Sequence, residues 1–252
     1  MKALEKQGFD GPNFSGPTLL GHRGMGVGPG ENTLASLVDA VRAGADGIEC
    51  DVRRTADGAL ALHHDPIIPG AGMVAELTVA QLPERVPLLE AVLDALLGSQ
   101  LNLEIKNLPN EPGYDPEELT ARQVVTLLAE RGGRDSVIIS SFTSATLDAV
   151  VSTDPDLATG FLTTADYDQD KALARAVERG WSALHPHHRA VTAELVAAAH
   201  DQGLALNTWT VNDPDDALRL AGMGVDAVIT DAVGAILSAF GRGAGGAGAS
   251  AG

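Results

Sequence analysis

The sequence predicts an α/β fold, a (β/α)8 TIM barrel with a short β-hairpin in the loop after the second strand. Three observations carry that expectation. Eight short apolar runs alternate with segments of helical periodicity across 18–240. No dinucleotide-type glycine fingerprint opens the first helix, which disfavours an open doubly wound sheet. The residues able to do chemistry fall at the C-terminal ends of the apolar runs, the rim where barrels of this class carry their sites. A chain of 252 residues suits one such domain.

Taken in order, 1–17 is rich in Gly, Pro and Asn and reads as a lead-in loop. The first strand is 18–21, and the glycine-rich segment after it needs unusual backbone angles or close approach to a ligand. Asn32 is expected to cap a helix running to Ala43, with Leu34, Leu37, Val38 and Val41 as its apolar stripe and Gly44 as its stop. The second strand is 47–52. The apolar run 59–63 follows after only a Thr-Ala-Asp-Gly turn, too short for a parallel crossover, so it folds back as an antiparallel arm. The proline-rich 66–87 reads as irregular, with one helical turn near 79–82, and a helix follows at 88–97.

From there the alternation is regular. Strands are expected at 101–106, 137–142, 157–162, 182–185, 204–211 and 226–230, and helices at 116–131, 144–152, 169–179, 192–202, 214–222 and 232–240. The low-complexity Gly/Ala tail, 241–252, is expected to be disordered.

Composition narrows the function. A net charge of −17 argues against nucleic acid and anionic lipid as partners, so an anionic substrate needs local positive charge at its site. A single cysteine excludes an internal disulfide framework. No apolar run reaches membrane-spanning length and the N-terminus lacks the apolar core of a signal peptide, so a cytoplasmic location without stable membrane insertion is expected.

Glu49 and Asp51, two apart in a strand, project from one face about 7 Å apart at their Cα atoms. Burying both without a counter-charge is costly, so a cation is expected between them. Glu104 on the adjacent strand completes an all-oxygen set that suits one hard divalent cation, Mg2+ or Ca2+. The competing reading is rim ion pairing with Arg53, Arg54 or Lys106. Cys50 points away as a packing residue, and His185, His187 and His188 read as a polar surface loop.

The ordered motifs His22-Arg23-Gly24, Glu31-Asn32-Thr33, Gly44-Ala45-Asp46, Ile48-Glu49 with Asp51-Val52, Thr55 with Asp57-Gly58 and His64-Asp65 continue in Leu103-Glu104-Ile105-Lys106, Ser141-Phe142, Trp209-Thr210-Val211-Asn212 and Thr230-Asp231. Over about 18–237 the chain resembles the glycerophosphodiester phosphodiesterase family. That resemblance implies metal-dependent hydrolysis of glycerophosphodiesters to sn-glycerol 3-phosphate and an alcohol. It implies Glu49, Asp51 and Glu104 as metal ligands, and His22 and His64 as the acid/base pair, with His64 rather than His63 because it directly precedes Asp65. Histidine suits both proton transfers because its ordinary pKa lies near neutrality. Arg23 and Lys106 are the expected phosphate-binding cations. Trp209 reads either as an apolar wall for the substrate or as a core-filling aromatic. Two other functions stay open: a lysophospholipase D or phosphoinositide enzyme forming a cyclic phosphate, and a catalytically silent glycerophosphodiester-binding barrel. Gly30 stands where the family usually has proline, and Ala232-Val233 follow the last Thr-Asp where a proline would soon be met. The short insertion after His64-Asp65 implies an open cleft.

Overall fold

The computed structural model describes residues 16–242. Eight parallel strands, each leading into a helix, run β1 (Thr18–His22), α1 (Leu34–Arg42), β2 (Gly47–Arg54), α2 (Leu89–Ala95), β3 (Gln100–Ile105), α3 (Leu119–Glu130), β4 (Ser136–Ser141) and α4 (Ser144–Thr153). The second half repeats the pattern with β5 (Ala158–Thr163), α5 (Gln169–Arg179), β6 (Ala183–Pro186), α6 (Ala193–Asp201), β7 (Ala205–Thr208), α7 (Pro214–Met223), β8 (Ala227–Thr230) and α8 (Val233–Ala239). β1 pairs with both β8 and β2, which closes the barrel as the sequence predicts.

Alternation along the strands sorts their side chains into two layers. Leu19, Ile48, Cys50, Leu101, Leu103, Ile139, Phe161, Leu184, Leu206 and Val228 join the inner faces of the helices in one apolar core. Each buried leucine or isoleucine there contributes about 1.5–3 kcal/mol. Their neighbours turn into the barrel, where Leu20, Ile138, Leu162 and Ile229 share the interior with the buried polar Asn102, Ser140, His185 and Asn207. The helices are capped by side chains suited to the task. Asp168, Thr192 and Asp213 accept backbone N–H groups at the starts of α5, α6 and α7, and Pro214 occupies the first turn of α7.

The antiparallel arm is present as Leu60–Leu62, paired with Val52, Arg53 and Arg54 of β2. The connection after it is more ordered than expected. Ile67–Ile68 and Gly72–Met73 form a second small hairpin, and a 3-10 turn at Val79–Gln81 matches the anticipated helical turn.

Two helix starts differ from the sequence reading. Thr33, not Asn32, caps α1, because Asn32 is held in the left-handed region at φ 54° with its amide committed elsewhere. α3 begins at Leu119 because the Asp115 carboxylate accepts the N–H groups of Glu117 and Leu119, while Glu118 takes a left-handed φ of 55°. Beyond α8, Arg242 pairs with both carboxylate oxygens of Asp46, and that carboxylate also accepts the Leu19 N–H. The lead-in up to residue 15 and the rest of the expected tail, 243–252, lie outside the described residues.

Candidate active site

The register of the barrel sets His22, the last residue of β1, beside Glu49, and Asp51 beside Glu104, near the end of β3. Because β2 alternates, Glu49 and Asp51 share the interior face while Cys50 goes to the outer core, as the sequence implies. One oxygen from each of Glu49, Asp51 and Glu104 lies within 4.8 Å of the others, and all three residues are buried. The predicted ligands therefore form one cluster.

Asp51 is its hub. Lys106 Nζ lies 3.1 Å from Asp51 Oδ1 and 2.5 Å from Glu104 Oε1, and Arg23 Nε lies 3.2 Å from Asp51 Oδ2. Asn32 Nδ2 donates to the same Oδ2 at 2.8 Å, and the Asp51 N–H donates back to Asn32 Oδ1 at 3.1 Å. Ion pairing by Lys106 is thus real, whereas Arg53 reaches Glu111 and Arg54 reaches Gln123, so neither neutralises the cluster. Burial pushes the Asp51 carboxyl up, but Lys106 and Arg23 outweigh it and hold the group well below the usual carboxylate range. Burial and then the Asp51 charge push the Glu49 carboxyl well up. The Glu49 oxygen Oε1 has no hydrogen-bond partner, and Asp51 Oδ1 and Glu104 Oε1 meet Lys106 only as ion pairs.

Arg23 sits at a left-handed φ of 52°, an uncommon conformation for a side-chain-bearing residue. The bend turns its N–H onto Glu49 Oε2 at 3.1 Å, while its guanidinium pairs with Glu31 at 3.1 Å. Gly24 makes the turn possible: at φ 94°, an added Cβ would lie 2.6 Å from the Ser36 backbone.

His22 Nε2 lies 3.8 Å from Glu49 Oε2, and its Nδ1 donates to Asp231 Oδ1 at 2.7 Å, a carboxylate that can only accept. Burial works to lower the His22 pKa, but the Asp231 bond and the Glu49 charge raise it above the ordinary value. Asn212 supports Asp231 in turn, donating to Oδ2 at 2.7 Å.

His64 leaves the antiparallel arm half-exposed, with Nδ1 bonded to Asp65 Oδ1 at 2.7 Å. His63 instead turns its Nδ1 onto the Asp65 carbonyl at 2.8 Å. Trp209 is half-buried at the rim. Its Nε1 donates to the His185 carbonyl at 2.9 Å, and its ring meets Phe142 and His187 edge-on at 5.4 and 5.3 Å.

The three-histidine segment departs from the surface-loop expectation. His185 points into the barrel, fully buried, where burial takes its pKa down to about 3 and Asn207 Nδ2 donates to its Nε2 at 2.8 Å. His188 pairs with Asp216, leaving His187 as the rim histidine beside Trp209. Sequence reasoning gave Asn32 only a capping role and Asp231 and Asn212 none, although each lies in a motif it singled out.

A family model described as "Glycerophosphoryl diester phosphodiesterase family" matches residues 22–235. A glycerophosphodiester phosphodiesterase of Caldanaerobacter subterraneus subsp. tengcongensis is 31% identical over 235 residues, which is 84% of this chain and 93% of the relative. Another, of Bacillus altitudinis, is 30% identical over 84% of this chain and 94% of its own length. Among solved structures, an Oleispira antarctica phosphodiesterase in complex with the product sn-glycerol-3-phosphate gives a TM-score of 0.79 at 26% identity, covering 90% of this chain and 97% of that one.

Proposed function

The chain belongs to the glycerophosphoryl diester phosphodiesterase family, and from that premise we propose that it hydrolyses glycerophosphodiesters to sn-glycerol 3-phosphate and an alcohol. The observation that carries the reading is the buried triad of Glu49, Asp51 and Glu104 ringed by Lys106, Arg23 and His22. The domain 18–240 is read as the catalytic unit, acting on a small-molecule substrate. We read the enzyme as cytoplasmic; no helix among the described residues is long and apolar enough to cross a membrane.

The triad fits a divalent cation. Its donors are all carboxylate oxygens, and the buried Glu49 Oε1 has no partner while Asp51 Oδ1 and Glu104 Oε1 share the single ammonium of Lys106, an arrangement that a hard cation such as Mg2+ or Ca2+ completes. When bound, such an ion polarises a phosphate oxygen and lowers the pKa of the nucleophile. The chain's own residues do the rest. Arg23 and Lys106 hold the non-bridging oxygens, where negative charge gathers in the transition state. His22 and His64 each hand one ring nitrogen to a carboxylate, leaving Nε2 to exchange protons with the nucleophile and the leaving alkoxide. The nucleophile is water, or the glycerol 2-hydroxyl, which expels the alcohol to form a cyclic phosphate that water then opens to glycerol 3-phosphate. Trp209 and Phe142 offer an apolar wall at the rim.

Incubation with glycerophosphocholine and identification of the phosphorus-containing product tests this assignment. Glycerol 3-phosphate is expected. A cyclic phosphate that accumulates would move the chain to the cyclising class, and saturable binding without turnover in Mg2+ or Ca2+ would make it a binding protein.

A further inference from the structure

We propose that Arg53 is a positioning residue for His64, fixing the peptide from which that imidazole reaches the site; the inference rests on the acid/base reading of His64. Arg53 follows Glu49 and Asp51 on the same face of β2, in the stretch where β2 pairs with the antiparallel arm. It is buried, at 8% exposure. Its Nε and Nη2 donate to the His64 carbonyl at 2.8 and 2.5 Å, and Nη2 also meets Glu111 Oε2 at 2.8 Å. One guanidinium thus joins β2, the residue leaving the arm, and the loop after β3.

The connectivity separates Arg53 from the cations at the phosphate site. Its charge is matched by Glu111, whereas the triad is matched by Lys106 and Arg23. Its hold on His64 is through the main chain. The arm's ladder is carried forward only as far as the His63 N–H, which donates to the Asp51 carbonyl at 3.0 Å. At the next residue the anchoring is done by side chains: Asp65 sets the rotation of the ring through Nδ1, and Arg53 sets the peptide that carries it. A half-exposed histidine on an excursion from the barrel needs both constraints to return to the same place, since a misplacement of about 1 Å costs on the order of 10²-fold in rate. A planar fork with two donors on one oxygen constrains direction as well as distance, which a lysine ammonium does not.

The test compares Arg53→Met, Arg53→Lys and His64→Gln, reading kcat, KM, divalent-metal affinity and the thermal midpoint. For Arg53→Met the expectation is a kcat loss of about 10²-fold with KM and metal affinity within about threefold of wild type. Arg53→Lys recovers part of the loss, methylguanidinium added to Arg53→Met restores kcat, and Arg53→Met adds nothing to His64→Gln. A crippled His64→Gln beside an Arg53→Met of wild-type kcat overturns the positioning role while leaving the reading of His64 intact. An active His64→Gln overturns both. Loss of metal affinity or of the folded state in both Arg53 variants, with no guanidinium rescue, makes Arg53 a scaffold residue and also overturns the proposal.

Discussion

Asn32 offers the sharpest separation of backbone strain from side-chain support. It is 2% exposed, stands at φ 54°, and makes a reciprocal pair of hydrogen bonds with Asp51. Replacing it with alanine removes a bond to a charged acceptor, worth about 1.5–3 kcal/mol, and a bond from a buried N–H, worth about 0.5–1.5 kcal/mol. Alanine also has to occupy the left-handed region, which adds about 1–2 kcal/mol. Glycine carries no such conformational cost. Asn32→Gly is therefore expected to lose about 2–4.5 kcal/mol, and Asn32→Ala about 1–2 kcal/mol more. Urea denaturation of both variants reads the two contributions. Because the side chain orients a proposed metal ligand, calorimetric titration with Mg2+ or Ca2+ is expected to show affinity lowered about 10- to 100-fold in both. An Asn32→Gly variant within about 0.5 kcal/mol of wild type, with unchanged metal affinity, would refute the reasoning.

Three further outcomes follow from the same geometry. His185 is held neutral in the barrel, with its pKa down to about 3 against about 6.5 in the unfolded chain. The unfolded state therefore binds the extra proton, and the stability contribution, complete above pH 6.5, is lost as pH falls toward 3, by about 2 kcal/mol at pH 5; His185→Gln is expected to remove that share of the difference between urea curves at pH 7.5 and 5. An alanine Cβ at Gly160 would fall 2.3 Å from His185 Nε2, so Gly160→Ala is expected to cost about 1–3 kcal/mol and to be largely relieved by His185→Ala, a double-mutant cycle in urea being the check. Asp231→Asn removes the carboxylate that raises and orients His22, and steady-state kinetics are expected to show kcat down about 10²-fold with KM little changed.

The barrel was legible because its signal is repeated: each apolar run precedes a helical period, and the arm at 59–63 could not be parallel on so short a turn. The triad was legible for a local reason, since the i, i+2 spacing of Glu49 and Asp51 fixes a shared face. What supports the site was not. Asn32 has the composition of a helix cap, and only the folded chain brings it against Asp51, 19 residues on. Asp231 lies 209 residues from His22 and meets it because β8 closes against β1. His185 reads as part of a polar loop because it opens the run His185-Pro186-His187-His188, but strand alternation decides that it points inward beside Gly160.

The central claim is that three buried carboxylates hold the ion on which phosphodiester hydrolysis depends. Release of glycerol 3-phosphate from glycerophosphocholine should be measured after EDTA treatment, after restoring Mg2+, Ca2+ or Mn2+, and in Glu49→Gln. The expected result is activity lost on chelation, restored by one of these ions, and absent from the variant at every ion concentration. Full activity in the chelated enzyme or in Glu49→Gln would contradict it.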